Sequence, residues 1–248
     1  MLSDRPISVV GSPRSGSSLV RSMLNAHPHI FCPDWETGVF LALDKVLNGD
    51  FRKVHKVHPN MPLHRPELVD WTRSCVTDLM RRFAEKCGKE RWAEKTPGHV
   101  YCIKTIHEVF PSGQFLHVIR NGYEVVRSLQ NMPWAPRKIR WSTRAWVESV
   151  RAGREAGSEL APDLYREVRY EELCARPEEV LRDVCRFLGE PFVPELLEFH
   201  KPERNTWASD FPALQKKSLG RYKELGWIER LVFKQLAGPL MRELGYSR

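Results

Sequence analysis

The chain predicts an α/β protein in which a parallel β-sheet carries helices on both faces. Two observations lead there. Short apolar or β-branched runs alternate with stretches of helical periodicity, and two of those runs lead directly into glycine-containing turns that open helices. With 248 residues, 42% of them hydrophobic, the chain can bury a full core, and one domain spanning 1–248 is expected.

The first strand is "ISVV", ending at Gly11, and the helix after Gly16 is "SSLVRSMLNAH", whose apolar residues recur at helical spacing. Residues 48–66, "NGDFRKVHKVHPNMPLHRP", are polar, basic and broken by proline, which reads as a long surface loop. Its His55, His58 and His64 lack a cysteine or carboxylate at ligand spacing, so no metal site is expected there. Helical patterns at 67–87 and 99–109 flank a strand, "RWAEKTP". A buried strand follows, "QFLHVI", then a turn at Asn121 and Gly122, then a helix beginning "YEVVRSLQ". The run "WAPRKIRWSTRAW" reads as a helix with Trp141 and Trp146 partly in the core, in preference to a stacking surface for nucleic acid. A fourth strand, "DLYREVRY", precedes a single long helix, "YEELCARPEEVLRDVCRFL", with Val180, Leu181, Val184, Phe187 and Leu188 apolar and Gly189 as its stop.

Charge and cysteines limit the function classes. Lys and Arg outnumber Asp and Glu by 39 to 31, a net charge of +8, which suits an acidic ligand without choosing one. The six cysteines are scattered, with no C-x-x-C pair, and read as reduced thiols, mostly core filling, in a cytoplasmic protein. No apolar run approaches the ~20 residues of a membrane span, and "MLSDRPIS" lacks the apolar core of a signal peptide.

The stretch "GSPRSGSSL" carries the first chemistry. Gly11 and Gly16 keep the spacing of a Walker A loop, but Ser17 stands where that loop has lysine. Backbone N–H groups of residues 14–18, opening onto a helix amino terminus, would hold a tetrahedral anion, and Arg14 adds a planar donor fork. Without the lysine, and without a strand ending in an Asp placed to hold Mg²⁺, a nucleotide triphosphatase is disfavoured. Arg120 ends its strand, so it emerges at the carboxyl edge of the sheet, where open α/β folds place ligands. Ser128 lies two turns into the next helix, within reach of Arg120 across a bound phosphate.

In order and spacing, "PRSGSSL", "VIRNGYEVVRSL" and "YEELCARPEEVLRDVCRFLGEPF" resemble the nucleotide-binding segments of sulfotransferases that use 3′-phosphoadenosine 5′-phosphosulfate (PAPS). The segments "HPHIFCPDWETGVF", "AEKTP" and "YEEL" look most like the branch containing tyrosylprotein, carbohydrate and small bacterial enzymes. The resemblance implies a P-loop-like sulfotransferase fold, PAPS as donor with its product adenosine 3′,5′-bisphosphate (PAP), no metal, no nucleic acid, and a hydroxyl-bearing acceptor that the sequence does not identify. It implies that Arg14, Ser15, Gly16, Ser17 and Ser18 hold the 5′-phosphosulfate, that Arg120 and Ser128 clamp the 3′-phosphate, and that Tyr170 lies near the nucleotide. The tail "NTWASDFPALQKKSLGRYKELGW" is similar to the segment that closes over the cofactor, with Thr206 and Arg221 the contacts and Lys216 or Lys217 possible additions.

Transfer to a hydroxyl needs a base and positive charge on the oxygen bridging phosphorus and sulfur. By resemblance Lys95 supplies the charge with help from Arg14, and Glu36 is the base, displaced by one inserted residue relative to the tyrosylprotein enzymes. A carboxylate near its ordinary pKa is a weak base for an alcohol, so Glu36 is expected to be buried near Trp35 or Phe40. Asp34 and His27 are the rivals; "AHPHI" otherwise reads as a helix-ending turn. The alternatives to a sulfotransferase are a P-loop kinase and a non-catalytic nucleotide or RNA binder. PAP binding separates them from the first reading.

Overall fold

The structure, a computed structural model, describes residues 5–49, 65–200 and 225–246. Its centre is a five-stranded sheet in the order β2-β3-β1-β4-β5, every neighbouring pair parallel. The strands are β1 (Ile7–Gly11), β2 (Ile30–Phe31), β3 (Arg91–Lys95), β4 (Gln114–Ile119) and β5 (Tyr165–Arg169). Parallel strands need crossovers, and these put helices on both faces, which is why β1, β3 and β4 are buried along their whole length.

Alternation along a strand sorts the core into layers. Ile7 and Val9 of β1, with Leu116 and Val118 of β4, face α1 (Ser17–Ala26) and the helices that follow β5. Val10 and Phe115 face the opposite layer, made by α2 (Val39–Asp44), α3 (Arg65–Lys86) and α4 (Ile103–Val109). A third cluster joins α5 (Gly122–Gln130), α6 (Ile139–Ser158) and the C-terminal α9 (Trp227–Glu243), with Phe233 stacked on Tyr123 at 3.9 Å and packed beside Trp146.

Two sequence expectations need correction. The sheet has five strands instead of four, because β2 is only two residues long and shows no alternation to read. The segment after β5 is two helices, α7 (Tyr170–Ala175) and α8 (Pro177–Leu188), because Pro177 has no N–H to continue the first and starts the second at its first turn. In α8, Leu181, Val184, Cys185 and Leu188 are buried, and Gly189 ends it at φ +75°, as the pattern required. Trp146 is fully buried and Trp141 39% exposed, and of the six cysteines Cys32, Cys102 and Cys185 are buried, Cys174 is half-buried against the core, and Cys75 and Cys87 are exposed. His55, His58 and His64 lie outside the described residues.

Candidate active site

The parallel register brings the carboxyl ends of three adjacent strands together: Val9 of β1 lies beside Lys95 of β3, and Gly11 beside Val118 of β4, two residues before Arg120. The β1–α1 loop begins at Gly11 with φ +148°, where a Cβ would come within 2.5 Å of the Val118 carbonyl oxygen. It ends at Gly16 with φ +101°, where a Cβ would come within 2.2 Å of the Tyr170 ring. Both glycines are thus required by backbone conformation and by close approach. Between them Arg14 has φ +71°, the single non-glycine residue in that region among the described residues. Such a conformation costs about 1–3 kcal/mol and tends to be kept where the backbone must present its groups to a ligand.

The loop offers donors and few acceptors. Helix α1 has no side-chain cap and no acidic residue in its first turn, so no side chain of its own offsets the positive end of its dipole. The Ser15 hydroxyl is buried with no partner among the described residues. Ser17 is buried, Ser18 half-buried and Arg14 exposed.

Arg14, Arg120, Ser128 and Tyr170 converge here. Arg14 donates through Nε to the Ser128 hydroxyl at 3.0 Å, and its carbonyl accepts from Arg120 at 3.3 Å. Partial desolvation, and then the like charge of Arg120, push the Arg14 pKa down. The Arg120 guanidinium lies 4.4 Å from the centre of the Tyr170 ring and 3.7 Å from the Glu124 carboxylate. Tyr170 therefore bridges Gly16 and Arg120. Arg120 and Ser128 both lie in this cluster, where the partner of the Ser128 hydroxyl among the described residues is Arg14. The start of α5 is held by Asn121, whose side chain accepts from the Tyr123 N–H at 3.0 Å and whose own N–H reaches Glu171 at 2.8 Å. Trp146 donates to the Arg120 carbonyl at 3.2 Å.

On the other side of β1, Lys95 is nearly enclosed, its side chain 5% exposed, and pairs with Glu36 at 2.6 Å. The Glu36 side chain is 52% exposed, so the expected burial near Trp35 or Phe40 is not found. Trp35 packs on Phe83, and Phe40 on His99 and Phe110. Asp34 is half-buried, its carbonyl accepting from Arg21 at 2.5 Å. His27 lies just before β2, at the amino edge of the sheet, the end opposite the loop. It bonds the Pro191 carbonyl at 2.9 Å and accepts from the His29 N–H at 3.1 Å, so both ring nitrogens are taken. Ligand-type atoms of His27, His29 and Glu190 lie within 4.8 Å of one another at that edge. Thr206, Lys216, Lys217 and Arg221 lie outside the described residues. The sequence reading missed Glu94, which is 1% exposed on β3 and accepts from Thr37, Thr96 and His99. Its one signal was its place in "AEKTP", immediately before the lysine.

Residues 6–194 match the family model described as "Sulfotransferase family". The chain belongs to that family. Among curated sulfotransferase relatives, the protein-tyrosine sulfotransferase of Drosophila melanogaster is 26% identical over 199 residues, 75% of this chain and 38% of that protein. The first three curated relatives are much longer; the chain spans 29% to 65% of their lengths. Among solved structures, the sulfotransferase domain from the curacin biosynthetic pathway superposes with a TM-score of 0.69 at 20% identity, covering 97% of this chain and 98% of that one. A mouse sulfotransferase complexed with PAP gives a TM-score of 0.54 at 14% identity, covering 97% and 85%. These likenesses establish the sulfotransferase fold that the loop and the Arg120 segment had indicated. Among the described residues no helix is long and apolar enough to cross a membrane.

Proposed function

We propose that this sulfotransferase moves the sulfuryl group of PAPS to an acceptor hydroxyl, in line and without a metal. The observation that carries the reading is the convergence of Arg14, Arg120, Ser128 and Tyr170 on the Gly16 loop, with the Lys95–Glu36 pair on the adjoining strand. The PAP bound to the mouse sulfotransferase supports PAPS as the donor here.

Each residue then has a task. The N–H groups of residues 14–18, the buried Ser15 hydroxyl and Arg14 hold the 5′-phosphosulfate. Arg120 and Ser128 hold the 3′-phosphate, Ser128 giving up its bond to Arg14, and Tyr170 flanks the nucleotide. Lys95 faces the bridging oxygen and stabilises the charge that develops as the S–O bond breaks. Glu36, half exposed beside Lys95, takes the hydroxyl proton late, after the forming O–S bond has made that proton acidic, so the burial expected from sequence is not required. Arg14 and Lys95 supply the positive charge that a divalent ion provides in triphosphate chemistry. Thr206 and Arg221 are assigned to the nucleotide by family resemblance.

Calorimetry tests the reading: PAP should bind well and 5′-AMP poorly, and equal affinities would overturn the 3′-phosphate assignment. Incubating a metabolite extract with sulfur-labelled PAPS, with and without EDTA, should transfer label to an acceptor in both cases. Activity lost to EDTA and restored by Mg²⁺ would contradict the metal-free mechanism.

A further inference from the structure

We propose that Glu94 is a positioning residue, which fastens the loop after β2 so that Glu36 meets Lys95. What the Glu36–Lys95 pair does chemically rests on the function proposed above; where the pair sits does not.

The hydrogen bonds define the device. One Glu94 oxygen, Oε1, accepts from the Thr37 hydroxyl at 2.8 Å, from the Thr96 hydroxyl at 2.5 Å and, at 3.4 Å, from the Thr37 N–H. The other, Oε2, accepts from His99 Nδ1 at 2.7 Å. The next two amides enter the same cluster: Gly38 N–H donates to the Thr96 hydroxyl at 3.2 Å and Val39 N–H to the Thr37 hydroxyl at 3.3 Å. Burial alone would push the Glu94 pKa up; bonds from His99, Thr96 and Thr37 outweigh it and hold the carboxyl below its ordinary value.

The register gives this cluster its purpose. Successive residues of a strand point to opposite faces. Glu94 and Lys95 are successive in β3, and they hold two successive residues of one loop: Glu94 grips Thr37 and Lys95 grips Glu36. Lys95 reaches a half-exposed side chain, which by itself places little, whereas Glu94 grips from a site that water does not enter. A buried charge is weak evidence for stability, since an apolar side chain of similar volume would often serve the core as well. Holding a backbone segment in one place is a task that a multiply accepting carboxylate performs and an apolar residue does not.

The test uses Thr37→Val, which keeps shape and removes the hydroxyl, Thr37→Ser, which keeps the hydroxyl, and Glu94→Gln. Amide hydrogen exchange of residues 37–39 should accelerate at least ~10-fold in Thr37→Val and Glu94→Gln and stay near wild type in Thr37→Ser. With sulfur-labelled PAPS and metabolite extract as acceptor source, kcat should fall ~10-fold or more in Thr37→Val, while KM for PAPS stays within about threefold, because a misplaced group costs rate without loosening the nucleotide. Unchanged exchange in Thr37→Val, or a lowered Tm with exchange at 37–39 and kcat unaltered, would overturn the proposal. If Glu94→Gln does not fold, the Thr37 pair decides it. If wild-type protein neither binds PAP nor consumes PAPS, the functional reading fails, and the exchange measurements still decide whether Glu94 holds the loop.

Discussion

The two edges of the sheet use arginine in opposite ways. At the amino edge Arg91 is 3% exposed and fully engaged: it donates to the carbonyls of Arg5 and Leu188 at 2.7 Å each, to Gln114 at 2.5 Å and to Glu190 at 3.0 Å. At the carboxyl edge Arg14 is exposed, touches one neutral hydroxyl, and sits near the like charge of Arg120. The same residue type serves to close a core at one edge and, at the other, to leave donors for the ligand proposed above. What separates the two is whether the protein itself supplies the acceptors. By that measure His27, with both nitrogens satisfied, belongs with Arg91, and the buried hydroxyl of Ser15 belongs with Arg14.

Substitutions at the two edges should therefore fail differently. The largest loss is expected from Arg91→Ala, which removes the buried donor of Glu190 Oε1 and of three other acceptors and should cost about 3–5 kcal/mol of stability. Denaturant unfolding reads that loss, and turnover per folded molecule should stay within about threefold. Lys95→Met, which roughly conserves volume, should do the reverse. Label transfer from PAPS drops by ~10²–10³ while the unfolding midpoint moves far less than in Arg91→Ala. A Lys95→Met enzyme with wild-type turnover would break the contrast at its strongest point.

A smaller effect sharpens the carboxyl edge alone. Arg120→Ala should shrink the preference for PAP over 5′-AMP by ~1.5–3 kcal/mol in paired titrations. Loss of affinity for both nucleotides in equal measure would instead place Arg120 under the ring or the 5′ group.

The smallest concerns the interior of β4, where His117 is only half satisfied: Nδ1 has a partner, while Nε2 is buried with none among the described residues. It is fully buried against the Tyr165 hydroxyl at 2.6 Å, and burial, then Arg154 and Arg169, depress its pKa from 6.5 to about 3. The unfolded chain thus binds this proton more readily than the folded one. Stability from this group is complete above pH 6.5 and is lost as pH falls toward 3, amounting to about 2 kcal/mol at pH 5 relative to pH 8. Thermal unfolding from pH 8 to 5 should show that slope, and His117→Gln should flatten it. A slope identical in the two proteins would assign the acid sensitivity to other groups.

Much of the architecture was legible because its causes are local. Gly11 and Gly16 are demanded by positive φ and close approach at their own positions, and the strand and helix periods around them were already visible. Gly189 and Pro177 punctuate α8 by the conformations their own backbones allow or forbid. Even there the reading stopped at one turn, joining α7 to α8 across a proline that separates them.

The sequence by itself determined the α/β class, the glycine-bounded loop and the placing of Arg120 at a strand end, since each follows from residues within a few positions of one another. Tertiary structure alone decided the pairings: Arg14 with Ser128, 114 residues apart; Lys95 with Glu36, 59 apart; and Thr37 with Glu94, 57 apart. A glutamate in a strand carries no mark of whether it will face water or four donors, and a half-exposed Glu36 looks the same in sequence as a buried one. Those outcomes depend on which strands the crossovers bring side by side, and they become fixed only when β1, β3 and β4 align in register.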